Sequence, residues 1–128
     1  MAILASTVFC DDVRTENNGK HIIIGAYGSD MVPGTMPSTF PIALWIRVDG
    51  LPLGKAAFRL EIEMPGGKNK VAMEGEGELR KSGRPAIMVF NQIPCSLESY
   101  GHIICRLSIA GAEPVEIGRL AVSRPPDR

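Results

Sequence analysis

Apolar and polar residues alternate with a period of two along most of this chain, and no window keeps the i, i+3, i+4, i+7 spacing of an amphipathic helix. The clearest block is Phe58-Arg59-Leu60-Glu61-Ile62-Glu63-Met64, then Pro65-Gly66-Gly67-Lys68, then Val71 and Met73 alternating with Lys70, Ala72, Glu74, Glu76 and Glu78. This is a hairpin pattern. With Gly66 and Gly67 in the turn, Glu63 lies opposite Lys70 and Arg59 opposite Glu74, two opposite-charge pairs on the solvent face that contribute about 0.2–1 kcal/mol each. Gly75 and Gly77 then fall on the apolar side beside Val71, Met73 and Leu79, where a missing side chain marks a bulge or a close approach.

A second hairpin sets Gly101, Ile103, Cys105, Leu107 and Ile109 on one face, turns near Gly111-Ala112-Glu113-Pro114, and returns through Val115, Ile117, Leu120 and Val122. The parity flip between Ile117 and Leu120 predicts a bulge around Gly118-Arg119, because a one-residue slip would turn half the apolar set to water. Eight strands are expected in all, at about 3–11, 20–27, 41–49, 56–64, 69–79, 86–93, 100–110 and 114–123. The Pro-rich passage from Val32 to Pro41 is too proline-dense for a central strand and reads as a crossover between sheets. The predicted fold class is all-β: a single antiparallel β-sandwich of immunoglobulin-like, Greek-key type over residues 1–123, with 124–128 as a flexible tail.

Length fits one domain, which buries roughly two-thirds of the surface its unfolded chain exposes. Fourteen basic groups balance fourteen acidic ones, and only seven of the 128 residues are aromatic. Without a basic stripe or interleaved aromatics, nothing recruits nucleic acid or an anionic membrane. The apolar start has no Lys or Arg ahead of it and reads as a first strand rather than a secretion signal. No apolar run reaches the about 18 residues that span a bilayer. Cys10, Cys95 and Cys105 form no C-x-x-C, and their odd number argues against a paired disulfide framework, so a reducing cytoplasm suits them.

Candidate chemistry is sparse. Asp11, Asp12 and Glu16 crowd one end of a ribbon whose turn is Asn18-Gly19, and carboxylates are the ligands a divalent cation prefers. Their spacing is not that of an EF-hand, and Arg14 among them points to a local ion-pair cluster, so no metal is expected. With Asn18-Gly19 as a two-residue turn, Glu16 faces His21. His102 and Cys105 fall on opposite faces of a strand, and no phosphate-binding loop, nucleophile elbow or H-E-x-x-H occurs. Lys81-Ser82-Gly83 is a turn, since the Ser-x-x-Lys that would accompany a penicillin-interacting element is missing.

Trp45 is the more informative residue. With Ile42, Leu44, Ile46 and Val48 inward, Trp45 shares the outer face with Arg47, while Tyr100, Ile104 and Arg106 oppose the core set of a later strand. Trp, Tyr and Arg are the types enriched in binding hot spots, which makes these five residues a candidate interaction face. The competing reading has Trp45 covered by a loop or the Pro-rich crossover of its own chain, or buried as a core tryptophan.

Asp11-Asp12-Val13-Arg14, Gly19-Lys20, Ile22-Ile23-Ile24-Gly25-Ala26-Tyr27, Pro37 and Ala43-Leu44-Trp45-Ile46-Arg47 together resemble a family of small uncharacterised bacterial proteins known only as a domain of unknown function. The resemblance lies mainly in residues 1–50; it implies a compact, all-β, intracellular protein and carries no catalytic residues. The expected function is a non-catalytic interaction module with protein partners, a homo-oligomer through the Trp45 face, and no cofactor. Two alternatives stand beside it: a small-ligand or divalent-metal binding protein, enzymes included, built on Asp11, Asp12 and Glu16, and a structural subunit of a phage-like or secretion assembly.

Overall fold

The computed structural model describes residues 3–126, and these contain ten strands and no helix. They are β1 (Leu4–Cys10), β2 (Asp12–Thr15), β3 (His21–Ile24), β4 (Asp30–Met31), β5 (Ser38–Asp49), β6 (Gly54–Glu63), β7 (Lys70–Leu79), β8 (Ala86–Leu97), β9 (Gly101–Ile109) and β10 (Val115–Val122). Three sheets result, ordered β1-β5-β8, β4-β10-β9-β6-β7 and β2-β3. Pairing is antiparallel everywhere except between β4 and β10, which run parallel and make the five-stranded sheet mixed. The count exceeds the expected eight for two reasons. The first strand breaks at Asp11, so that residues to Thr15 form a separate ribbon with β3, and β4 is only two residues long, too short to show an alternation.

The two larger sheets turn their apolar sides to one core. Ile42, Leu44, Ile46 and Val48 of β5 meet Leu60 and Ile62 of β6 and Ile103, Cys105 and Leu107 of β9, all fully buried. These are the inward positions of the period-two pattern, and burying each such side chain contributes about 1.5–3 kcal/mol. The β6–β7 register is the expected one, with Glu63 opposite Lys70 and Arg59 opposite Glu74. Arg59 Nη1 lies 2.7 Å from Glu74 Oε1.

Two bulges re-aim side chains. In β10 the register shifts between Glu116 and Gly118, so Ile117 is the extra residue, one position before the expected Gly118-Arg119, and Ile117, Leu120 and Val122 all reach the core. In β8, Asn91 and Gln92 together oppose Ala43, and Gln92 takes a left-handed φ of 57°. The crossover expected at 32–41 is shorter than that. Residues 32–37 carry the chain between the two large sheets, and β5 then starts at Ser38 with Pro41 inside it, opposite Pro94. Proline has no N–H, so this can only be a non-hydrogen-bonded pair. The outward side of Pro94 is the sheet edge, and that of Pro41 lies beyond the end of β1, whose last partner is Ala43.

The two sides of the core differ. Along β1 and β10 the sheets close tightly: Thr7 Oγ1 donates to the Ile117 carbonyl at 2.8 Å, and a Cβ at Gly118 would sit 2.8 Å from that of Thr7. Along β7 and β8 they part, leaving an open cleft of about 460 Å³.

Candidate functional site

Trp45 does face away from the main core, and its cover is the β2–β3 ribbon rather than the Pro-rich crossover. Cys10, Val13 and Ala43 form a small second core there, packed by Val8, Trp45 and Val89. Trp45 Nε1 donates to His21 Nδ1 at 3.3 Å, which leaves the indole half-buried. The ribbon is fastened by Asn91, which the β8 bulge presents to Val13. Val13 N–H donates to Asn91 Oδ1, and Asn91 Nδ2 donates to the Val13 carbonyl, both at 3.0 Å. One side chain thus takes the place of a strand neighbour for both main-chain groups of Val13. Sequence reasoning missed Asn91, His21 as the partner of Trp45, and the β8 bulge; the odd spacing from Phe90 to Ile93, both inward-facing, was the available signal.

The carboxylates near the ribbon do not converge. Asp11 sits at the corner between β1 and β2, where Oδ1 accepts from the Tyr27 hydroxyl at 3.1 Å. Its main-chain N–H donates to the Ile24 carbonyl at 3.0 Å. Burial, then the bond to Asp11, pushes the Tyr27 phenol up to about 12. Asp12 pairs with Arg14 at 3.1 Å on the exposed face of the ribbon. Glu16 lies at the tip, 3.9 Å from Lys20 Nζ. The expected Glu16–His21 facing is corrected to Thr15–His21, because the turn has three residues, with Gly19 in the left-handed region (φ 88°) and its N–H donating to the Glu16 carbonyl. Among the described residues no three of His, Cys, Asp and Glu come together as a metal site.

The five residues of the candidate interaction face are not brought together. Trp45 and Arg47 lie on the outer side of the three-stranded sheet, whereas Ile104 and Arg106 lie on the outer side of the five-stranded sheet, with the whole core between them. Arg47 pairs with Asp49 at 3.4 Å and Arg106 with Glu63 at 3.4 Å. Tyr100 packs on the main core, and the Arg124 guanidinium stacks 4.9 Å from its ring centre; of the expected tail, residues 127 and 128 lie outside the described residues.

The thiols are masked. All three cysteines are free and buried. Burial pushes the thiols of Cys95 and Cys105 up to about 11 and about 12, and raises Cys10 with Asp11 adding to the effect. Thiolates are therefore scarce at neutral pH.

Beside its charged groups the ribbon exposes three apolar side chains. Ile22, Ile23 and Ile24 are 44%, 36% and 41% exposed, and among the described residues β3 has no strand on its far side. Because Asn91 holds the Val13 main chain from the side opposite β3, Val13 and Ile23 are a non-hydrogen-bonded pair, and the N–H and C=O of His21 and Ile23 project to that free edge.

The family of unknown function DUF6941 matches residues 5–120, and the chain belongs to it. No curated protein and no solved structure matches the chain.

Proposed function

We propose that this member of a family of unknown function is a non-catalytic interaction module that pairs with a second copy of itself through the free edge of β3. The observation that carries the reading is three consecutive exposed isoleucines on an unpartnered strand edge. Natural edges are blunted by shortness, lysine, proline or a bulge; His21–Ile24 is short, at four residues, and has none of the other three. Two β3 strands related by a twofold axis at Ile22 would pair His21 with Ile23 of the other copy, using the outward N–H and C=O groups and setting the two Ile22 side chains next to each other. The contact thus moves from the Trp45 face to the ribbon that covers it. Buried, raised thiols and scattered, ion-paired carboxylates support a role without catalysis.

The scaffold we infer is an antiparallel β-sandwich of immunoglobulin-like, Greek-key type. Its support is the shared core and the alternation of successive strands between sheets, with β5 in one, β6 and β7 in the other, β8 back in the first, and β9 and β10 in the second. Free thiols suit a reducing, cytoplasmic setting.

Light scattering on a size-exclusion column tests the pairing. The wild type is expected at twice the monomer mass at high concentration. Ile22→Lys, which sets two like charges side by side on the axis, gives a folded monomer, whereas Val115→Lys, an equally exposed apolar site on β10, leaves the dimer. A wild type that stays monomeric at the highest soluble concentration would falsify the reading.

A further inference from the structure

We propose that the cleft between β7 and β8 is a binding site for a free medium-chain alkyl carboxylate, with the alkyl chain in the cleft and the carboxylate at the cationic β7–β8 turn. Its volume of about 460 Å³ lies within the range of ligand sites, about 300–1,000 Å³. Small residues written into the sequence create the space. Ala56 and Gly77 stand directly opposite each other on the inward side of β6 and β7, the smallest pair on that hairpin's inner face after the larger Leu60–Met73 and Ile62–Val71 pairs. A Cβ placed on Gly77 would meet nothing within 4 Å, so this glycine leaves open room; Gly75, by contrast, is filled over by the Phe58 ring. Across the gap stand Met88 and Phe90, with Phe90 edge-on to Phe58 at 6.1 Å between ring centres.

The chemistry of the walls selects the ligand. Among the described residues Glu78 is the one charged residue of the lining, and it already holds Arg80 at 3.1 Å. Apart from Glu78 the lining side chains are apolar, and an alkyl chain matches them without bringing polar groups of its own. Water occupies about 30 Å³ per molecule and a methylene has similar bulk, so the cleft holds on the order of ten methylenes. Its end is marked by Leu79 and Pro85, which both line it and flank Arg80-Lys81-Ser82-Gly83-Arg84. Among the described residues neither Lys81 nor Arg84 has a carboxylate within ion-pairing distance, and both are exposed. An anionic head group at that end complements them.

Isothermal titration with octanoate, decanoate and dodecanoate, each below its micelle concentration, tests the assignment. Affinity should rise about fourfold per added methylene, the equivalent of burying one CH₂. Gly77→Leu, which fills open space, should weaken dodecanoate about tenfold or more while the circular-dichroism melt stays cooperative; Ala56→Val serves if that variant fails to fold. Joint Lys81→Glu and Arg84→Glu changes should weaken the carboxylates and leave decanol unchanged. Absence of binding, affinity independent of chain length, a Gly77→Leu protein that binds like the wild type, decanol binding as tightly as decanoate, or sedimentation with phosphatidylglycerol vesicles without free-acid binding would each overturn the proposal. Dimerisation is read separately by light scattering, so neither result depends on the other.

Discussion

At the scale of the residue, three glycines, Gly25 after β3 and Gly75 and Gly77 within β7, behave in three ways. Gly25 has a left-handed φ of 67°, and a Cβ there would run into the Asp11 carboxylate that receives the Tyr27 hydroxyl. Gly25→Ala should therefore cost about 2 kcal/mol, about half from backbone strain and the rest from displacing Asp11. Gly77→Ala meets open space at an ordinary φ and should shift stability by no more than about 0.5 kcal/mol. Urea denaturation of both variants checks the contrast, and equal midpoints would remove the Asp11–Tyr27 corner as a constraint. Gly75 and Gly77 shared one expectation in the sequence, since both fall on the apolar side of β7. Only the position of the Phe58 ring separates them, and a period-two pattern carries no information about where a ring from the next strand lies.

At the scale of the element, the legible parts are those with two independent local signals. The β6–β7 register came from alternation and charge pairing together, and both agree with the observed partners. The β10 bulge was readable from a parity flip, and the β8 bulge follows from the same arithmetic between Phe90 and Ile93 once that strand is extended to Leu97. The β2–β3 register was misread by one residue because Asn-Gly suits a two-residue turn as well as the three-residue turn present here. The consequence of the β8 bulge is a test of the ribbon. Asn91→Ala leaves the N–H and C=O of Val13 without partners and should cost about 1–3 kcal/mol. Trp45 fluorescence should shift to the red as water reaches the indole, while Asn91→Asp, which keeps the acceptor and loses the donor, falls between. An unshifted emission in Asn91→Ala would mean that the small core around Val13 holds the ribbon unaided.

At the scale of the whole molecule, the contacts that build the candidate site join residues far apart in the chain, and this is why the site was less legible than the fold. The outward orientation of Trp45 was readable; that β2 and β3 lie over it was not, because the cover depends on Val13 meeting Asn91 across 78 positions. The same long-range arrangement sets a hierarchy of stability. Leu44, Leu60 and Leu107 lie in a core shared by two sheets and should exchange their amide protons only by global unfolding. The β2–β3 ribbon is a two-stranded sheet, marginal by itself, and rests on a few side chains of the small core and on Asn91, so it should open at a free energy several kcal/mol lower. Within it the amides divide by direction. Ile22 and Ile24 sit in the pairs that bond to β2, whereas His21 and Ile23 point to the free edge. In dilute protein His21 and Ile23 should exchange at nearly the rate of an unstructured chain. Raising the concentration should protect these two amides alone if β3 strands pair across a twofold axis, with Ile22→Lys abolishing the effect. Uniform protection along β3 at every concentration would instead place the ribbon inside the cooperative core and leave its isoleucines without a partner to explain.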